Sequence, residues 1–188
     1  DNTDKQVVYY LEERGRKGVA LSQYLWDNVR IAELLEEKTG KISGKMMMEA
    51  AQVMDKYRAQ IAQSPRGVEA MAKVYFWAAN QKEDTFYRIR LELPQRNLEV
   101  NLQRKLTLLK QLESDYGRIA ALGSGDWGLA AMYKTAAAYR QMSQEVQQAP
   151  VPAELSAEQI DMYRQELKRQ MVQPFNEKAL SMAAQCMD

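Results

Sequence analysis

Apolar residues recur at alternating steps of three and four through most of the chain, and this spacing most constrains what it can fold into. Met47, Ala50, Met54, Tyr57 and Ile61 form one series. Val68, Met71, Tyr75, Ala78, Phe86 and Ile89 form a second, interrupted at Lys82. Leu98, Leu102, Leu109, Leu112, Tyr116 and Ile119 form a third, with a gap at Lys105. Leu129, Met132, Ala136, Tyr139 and Val146 make a fourth, and Ile160, Tyr163, Leu167 and Met171 a fifth. Residues so spaced share one face of an α-helix, which must be buried against a neighbour. No segment alternates convincingly with period two. The pattern predicts an all-α fold of antiparallel helical hairpins, stacked as a solenoid or packed as an irregular bundle.

The helix-breaking residues agree. Only nine glycines and five prolines occur in 188 residues, and they sit between the stripes. Ser64-Pro65 reads as an N-cap followed by proline at the first helical position. Pro94 is expected to end the helix that carries Ile89. The run Gly123-Ser124-Gly125-Asp126 separates the third stripe from the fourth, with Ser124 or Asp126 as N-cap. Ala149-Pro150-Val151-Pro152 is a stiff extended connector. Ser156 with Gln159 forms a capping-box pattern, flanked by Leu155 and Ile160 at the staple positions. Pro174 falls inside the last helical stretch and should kink it near Val172. Gly15 and Gly18 divide a short first helix (5–13) from a longer one (19–38). The expected total is six or seven helices of roughly 20 to 28 residues, joined by short turns that make neighbours antiparallel.

Composition then removes whole classes of chemistry. There is no histidine, so there is no Ser-His-Asp triad, Cys-His pair or H-E-x-x-H metal site. One cysteine makes neither an internal disulfide nor a C-x-x-C pair. The balance of 26 basic against 25 acidic residues is not that of a nucleic-acid binder. No uncharged apolar run is long enough to span a bilayer. No signal peptide is visible, and the chain opens at Asp1. The expectation is therefore a protein without catalytic residues, metal or cofactor.

Late in the chain, Met132-x-x-Thr135-Ala136-x-x-Tyr139 fits the first-helix spacing of a tetratricopeptide repeat, and Ala179, Ala183 and Cys186 fit the small positions of its second helix. The unit would be enlarged, spanning 126–188. Several further segments carry a wider likeness. They are Leu93-Pro94, the lysine- and leucine-rich Leu106 to Lys110, and Asp126-Trp127 leading to Ala130-Ala131-Met132-Tyr133. The connector Ala149-Pro150-Val151-Pro152 follows, with Leu155, Ser156, Glu158 and Tyr163, and then Pro174-Phe175-Asn176-Glu177-Lys178-Ala179. Over residues 68–187 the chain resembles large bacterial tetratricopeptide-like proteins associated with gliding motility and the outer membrane. The resemblance implies a scaffold that binds other proteins in a periplasmic or outer-membrane-associated complex, with the cytoplasm as the alternative address. It also implies one helical-repeat segment over 1–188, a piece of a longer array whose first 40 residues fit the pattern least.

Other local motifs favour structure over chemistry. The run 123–128 spells G-x-G-x-x-G, but a helix rather than a strand precedes it and Trp127 crowds it, so a helix–helix turn is the expected reading. Cys186 reads as a small core residue. Glu33, Glu36 and Glu37 read as a solvated helical face, with help in binding a hard cation as the sharper alternative. Arg88, Arg90, Arg96, Arg104, Lys105 and Lys110, with Glu83, Asp84, Glu92 and Glu99 interspersed, read as a solvated mixed surface, with an acidic-partner patch as the sharper alternative. Met46-Met47-Met48 is the most unusual run. Neighbours on a helix differ by about 100°, so the three cannot all face one core. Met46 and Met48 are thus candidates for contact with a partner, together with Tyr24, Trp26, Arg88 and Arg90. Of Trp26, Trp77 and Trp127, two are expected to be mostly core. The expected function is protein–protein interaction with other proteins or peptides. Self-assembly of the helices into a homo-oligomer is the alternative.

Overall fold

The computed structural model describes residues 2–152 and 154–186. The described residues form helices and connectors, with no strand among them, so the chain is all-α. In order the helices are α1 (Asn2–Gly15), α2 (Leu21–Thr39), α3 (Gly44–Ile61), α4 (Pro65–Arg88), α5 (Gln95–Ala120), α6 (Gly125–Gln148), α7 (Ala157–Leu167) and α8 (Gln173–Gln185). A π-helical turn, Lys168–Val172, joins α7 to α8 without a break. The chain divides into two compact units, residues 1–78 with 122–127 and residues 79–121 with 128–188.

The first unit grows from the stripe that begins at Met47. Met47, Ala50, Met54 and Ile61 of α3 are buried against Leu25, Val29 and Ala32 of α2 and Ala70, Met71 and Val74 of α4. Asp4 pairs with Lys38, and Arg14 with Asn28, so α1 and α2 run antiparallel. Gly40 closes α2 in the left-handed region (φ 71°), its N–H donating to the Glu36 carbonyl. A side chain there would meet nothing but would carry the left-handed penalty. Gly67 is needed for space instead. A Cβ at that position would lie 2.0 Å from the Ile61 carbonyl oxygen, because the first turn of α4 passes directly over the end of α3. Ser64 caps α4, its hydroxyl accepting the Gly67 N–H at 3.0 Å.

The second unit alternates direction through α4, α5, α6 and α8. Tyr116 donates to Asn80 and Asp115 pairs with Lys82, which ties α5 to the last turns of α4. Tyr139 of α6 donates to Glu113 of α5 at 2.7 Å. Ser143 of α6 donates to the Val172 carbonyl at 3.1 Å. The predicted capping box at Ser156 and Gln159 is present in both halves. The predicted kink at Pro174 takes the form of the π turn, in which the Gln173 N–H reaches back five residues to the Lys168 carbonyl. Proline cannot donate to the ladder and crowds the carbonyl four residues earlier. A locally widened helix relieves that conflict.

Several stripe positions differ from expectation. Ile89 lies just beyond α4, which ends at Arg88, six residues before Pro94, although its side chain is still buried. Pro94 is the N-cap of α5 rather than the terminator of α4. Ala78 and Leu129 are exposed, and Ala79 and Ala131 are buried in their place. The three indoles are all half-buried, so none is a fully enclosed anchor.

Candidate functional site

Two buried positions carry charge inside the second unit, and each is paired with a charge on α6. Lys105, expected on a solvated basic face, is fully buried. Its ammonium donates to Glu145 Oε2 at 2.6 Å and to the Ile89 carbonyl at 3.0 Å, and lies 4.5 Å from the centre of the Phe86 ring. Burial pushes its pKa below the ordinary lysine value, against the hydrogen bond with Glu145. Glu83, also expected on the mixed surface, is buried on α4 and accepts from Lys134 of α6 at 2.6 Å. Burial of Tyr87 itself pushes its hydroxyl up to about 12, and the Glu83 charge adds to the shift.

In the first unit Asp27 is fully buried. Its Oδ1 accepts from Gln23 at 2.7 Å while its Oδ2 has no partner. Burial raises its pKa above the ordinary aspartate value, the Gln23 bond opposing. None of Asp27, Glu83 and Lys105 lines any of the three clefts described among these residues.

The candidate contact residues separate into three environments. Tyr24 and Met46 meet at Arg14, whose Nη1 lies 3.6 Å from Met46 Sδ and whose Cζ lies 5.9 Å from the centre of the Tyr24 ring. Both therefore pack within the first unit, and Met46 also lies against its core. Trp26 is covered by cations, with Lys73 Nζ at 4.8 Å and Arg66 Cζ at 5.7 Å from its ring. Lys73 is held there by Glu33 at 2.7 Å. Met48, 55% exposed, is the methionine of the run that faces solvent, while Met47 is core. Arg88 and Arg90 belong to the second unit and are exposed, with Arg90 4.0 Å from Glu145.

An apolar groove with exposed rims lies elsewhere, between α6 and α8. Tyr133, Ala136, Ala137 and Arg140 line one wall of a groove of about 450 Å³. Asn176, Ala179, Leu180 and Ala183 line the other. Leu180 is 70% and Tyr133 68% exposed. Four alanines keep the floor low, which lets another backbone approach closely. Arg140 is the one charged residue among the lining side chains. The signal was present in the sequence, since Leu129, Tyr133, Ala137 and Arg140 recur at steps of four, four and three along α6. Its stripe was masked because the opposite face of the same helix is also apolar.

Compared with family models, curated protein sequences and solved structures, the chain matches none of them.

Proposed function

We propose that this chain is a non-enzymatic helical scaffold that binds other proteins or peptides. The observation that carries the reading is the groove between α6 and α8, with a low alanine floor and rims of exposed Leu180 and Tyr133. Large side chains left in water beside small ones form the receiving half of helix-in-groove recognition. The motifs between Leu93 and Ala179 that resemble envelope-associated tetratricopeptide-like proteins supply the proposed address, a periplasmic or outer-membrane-associated complex. No helix among the described residues is long and apolar enough to cross a membrane.

A photo-reactive side chain placed at Leu180 in the native cell tests the reading, with the same group at exposed Gln52 of α3 as control. A discrete protein adduct from position 180 and none from 52 is expected. Failure of position 180 to yield any protein adduct overturns it. Fractionation of the same cells checks the address, and recovery only with cytosolic proteins refutes the envelope assignment.

A further inference from the structure

We propose that the groove between α6 and α8 receives helix α7 of a second copy of this chain. The inference rests on reading the groove as an interaction surface, and it names the occupant.

Helix α7 has two faces. Ile160, Tyr163 and Leu167 are half-buried on its own chain. Glu158, Asp161, Met162 and Gln165 stand at steps of three, one and three on the opposite face, and all are exposed. Met162 is 66% exposed, among the most open apolar side chains in the protein. Among the described residues, neither Glu158 nor Asp161 makes an ion pair. The outer face of α7 is thus an unbranched apolar knob flanked by two uncompensated carboxylates.

The groove has the complementary properties. Its floor is alanine, and its one charge, Arg140, is exposed and makes no ion pair among the described residues. A methionine is suited to such a floor, because three rotatable bonds let it fill an irregular hollow. Asp161 beside Met162 and Glu158 one turn before it would meet Arg140, and Asn176 offers an amide at the other wall. Each copy carries both the knob and the groove, so a two-fold arrangement satisfies both at once and closes. Side chains exposed without partners in one copy would then be covered by the same side chains' complements in the other.

Sedimentation velocity on the purified full chain, from about 1 to 100 μM, tests this over the range of weak self-association. A reversible rise in mass with concentration is expected. Met162→Glu and Arg140→Glu should each weaken association about tenfold or more, since each sets like charges or a buried charge across the contact. Arg140→Glu combined with Asp161→Lys and Glu158→Lys should regain most of the loss. These positions are exposed, so the circular dichroism spectrum should not change. A monomer at every concentration overturns the proposal, as does association indifferent to the charge exchange. If the chain is monomeric but position 180 cross-links to a different protein, the scaffold reading stands and the second-copy proposal falls. If position 180 cross-links to nothing, both fall.

Discussion

Lys105 of α5 and Glu145 of α6 face each other at 2.6 Å with the lysine side chain fully enclosed. Further polar contacts tie the same helix to its neighbours, among them Glu113 to Tyr139 and Tyr116 to Asn80. A shift of α5 by one residue would break these contacts, so the polar ties fix its register more sharply than leucine packing alone.

Removing one partner leaves the other as an uncompensated buried charge. Lys105→Ala and Glu145→Leu are each expected to lose about 3 to 5 kcal/mol. Lys105→Met combined with Glu145→Leu should recover most of that, because two apolar chains of similar length carry no charge to desolvate. Trp26, Trp77 and Trp127 all lie in the first unit, so unfolding of the second is best followed by circular dichroism rather than by indole fluorescence.

Asp27 gives the first unit a pH dependence of known sign. Its folded pKa lies above the unfolded value of 3.8. The folded state therefore holds its proton over a window where the unfolded state has lost it, and stability from this residue declines as pH rises from about 3.8 through the folded pKa. Above that window the loss is constant. Asp27→Asn keeps an oxygen for Gln23 and removes the charge. It should stabilise the protein at pH 7 and flatten that decline, which denaturation followed by tryptophan fluorescence between pH 4 and 8 will read. Lower stability of the variant at pH 7 would contradict the assignment.

Two glycines separate space from backbone freedom. Gly67→Ala must move the end of α3, because the obstacle is the Ile61 carbonyl rather than a flexible side chain. A loss above about 2 kcal/mol is expected, in the range of overpacking. Gly40→Ala meets no atom, and only its left-handed φ is penalised, at about 1 to 2 kcal/mol. Thermal melts of the two variants should rank in that order.

The methionine run should split by position. Met47→Ala opens a cavity in the first unit's core and should cost about 2 to 5 kcal/mol. Met48→Ser touches an exposed side chain and should fall within about 0.5 kcal/mol of the parent. Met46→Ser loses the contact with Arg14 and with the core and should lie between them.

The all-α class and the cap at Ser156 and Gln159 were legible because each depends on a few neighbouring residues. By contrast, α4 ends at Arg88 well before Pro94, and α1, α2, α3, α7 and α8 are all shorter than the roughly 20 to 28 residues expected. The stripe on α3 predicted its buried set closely. Lys105 and Glu83 were misassigned because a charged residue on an apolar face looks like an interruption until its partner is placed, and Glu145 and Lys134 lie 40 and 51 residues away. Leu129 was assigned to the core because α6 is apolar on two sides, and periodicity cannot say which side finds a neighbour. Met46 and Tyr24 were proposed for an outside partner, yet Arg14 engages both, a contact that no spacing within α2 or α3 reveals. At least one methionine of the run was expected to be exposed or to meet another surface, and Met48 is exposed. Asp1, Ala153, Met187 and Asp188 lie outside the described residues, so the end of the resembling stretch at Met187 has no structural counterpart.

The π turn at Lys168–Val172 acts as a phase shifter. One extra residue in a helical turn advances every later side chain by about 100° around the axis. The acidic, Met162-bearing side of α7 and the alanine-rich side of α8 would lie at a different angle to each other on an uninterrupted helix. Deleting one residue inside the turn should therefore preserve helix content while rotating one of these surfaces against the other, uncoupling composition from orientation in a single step.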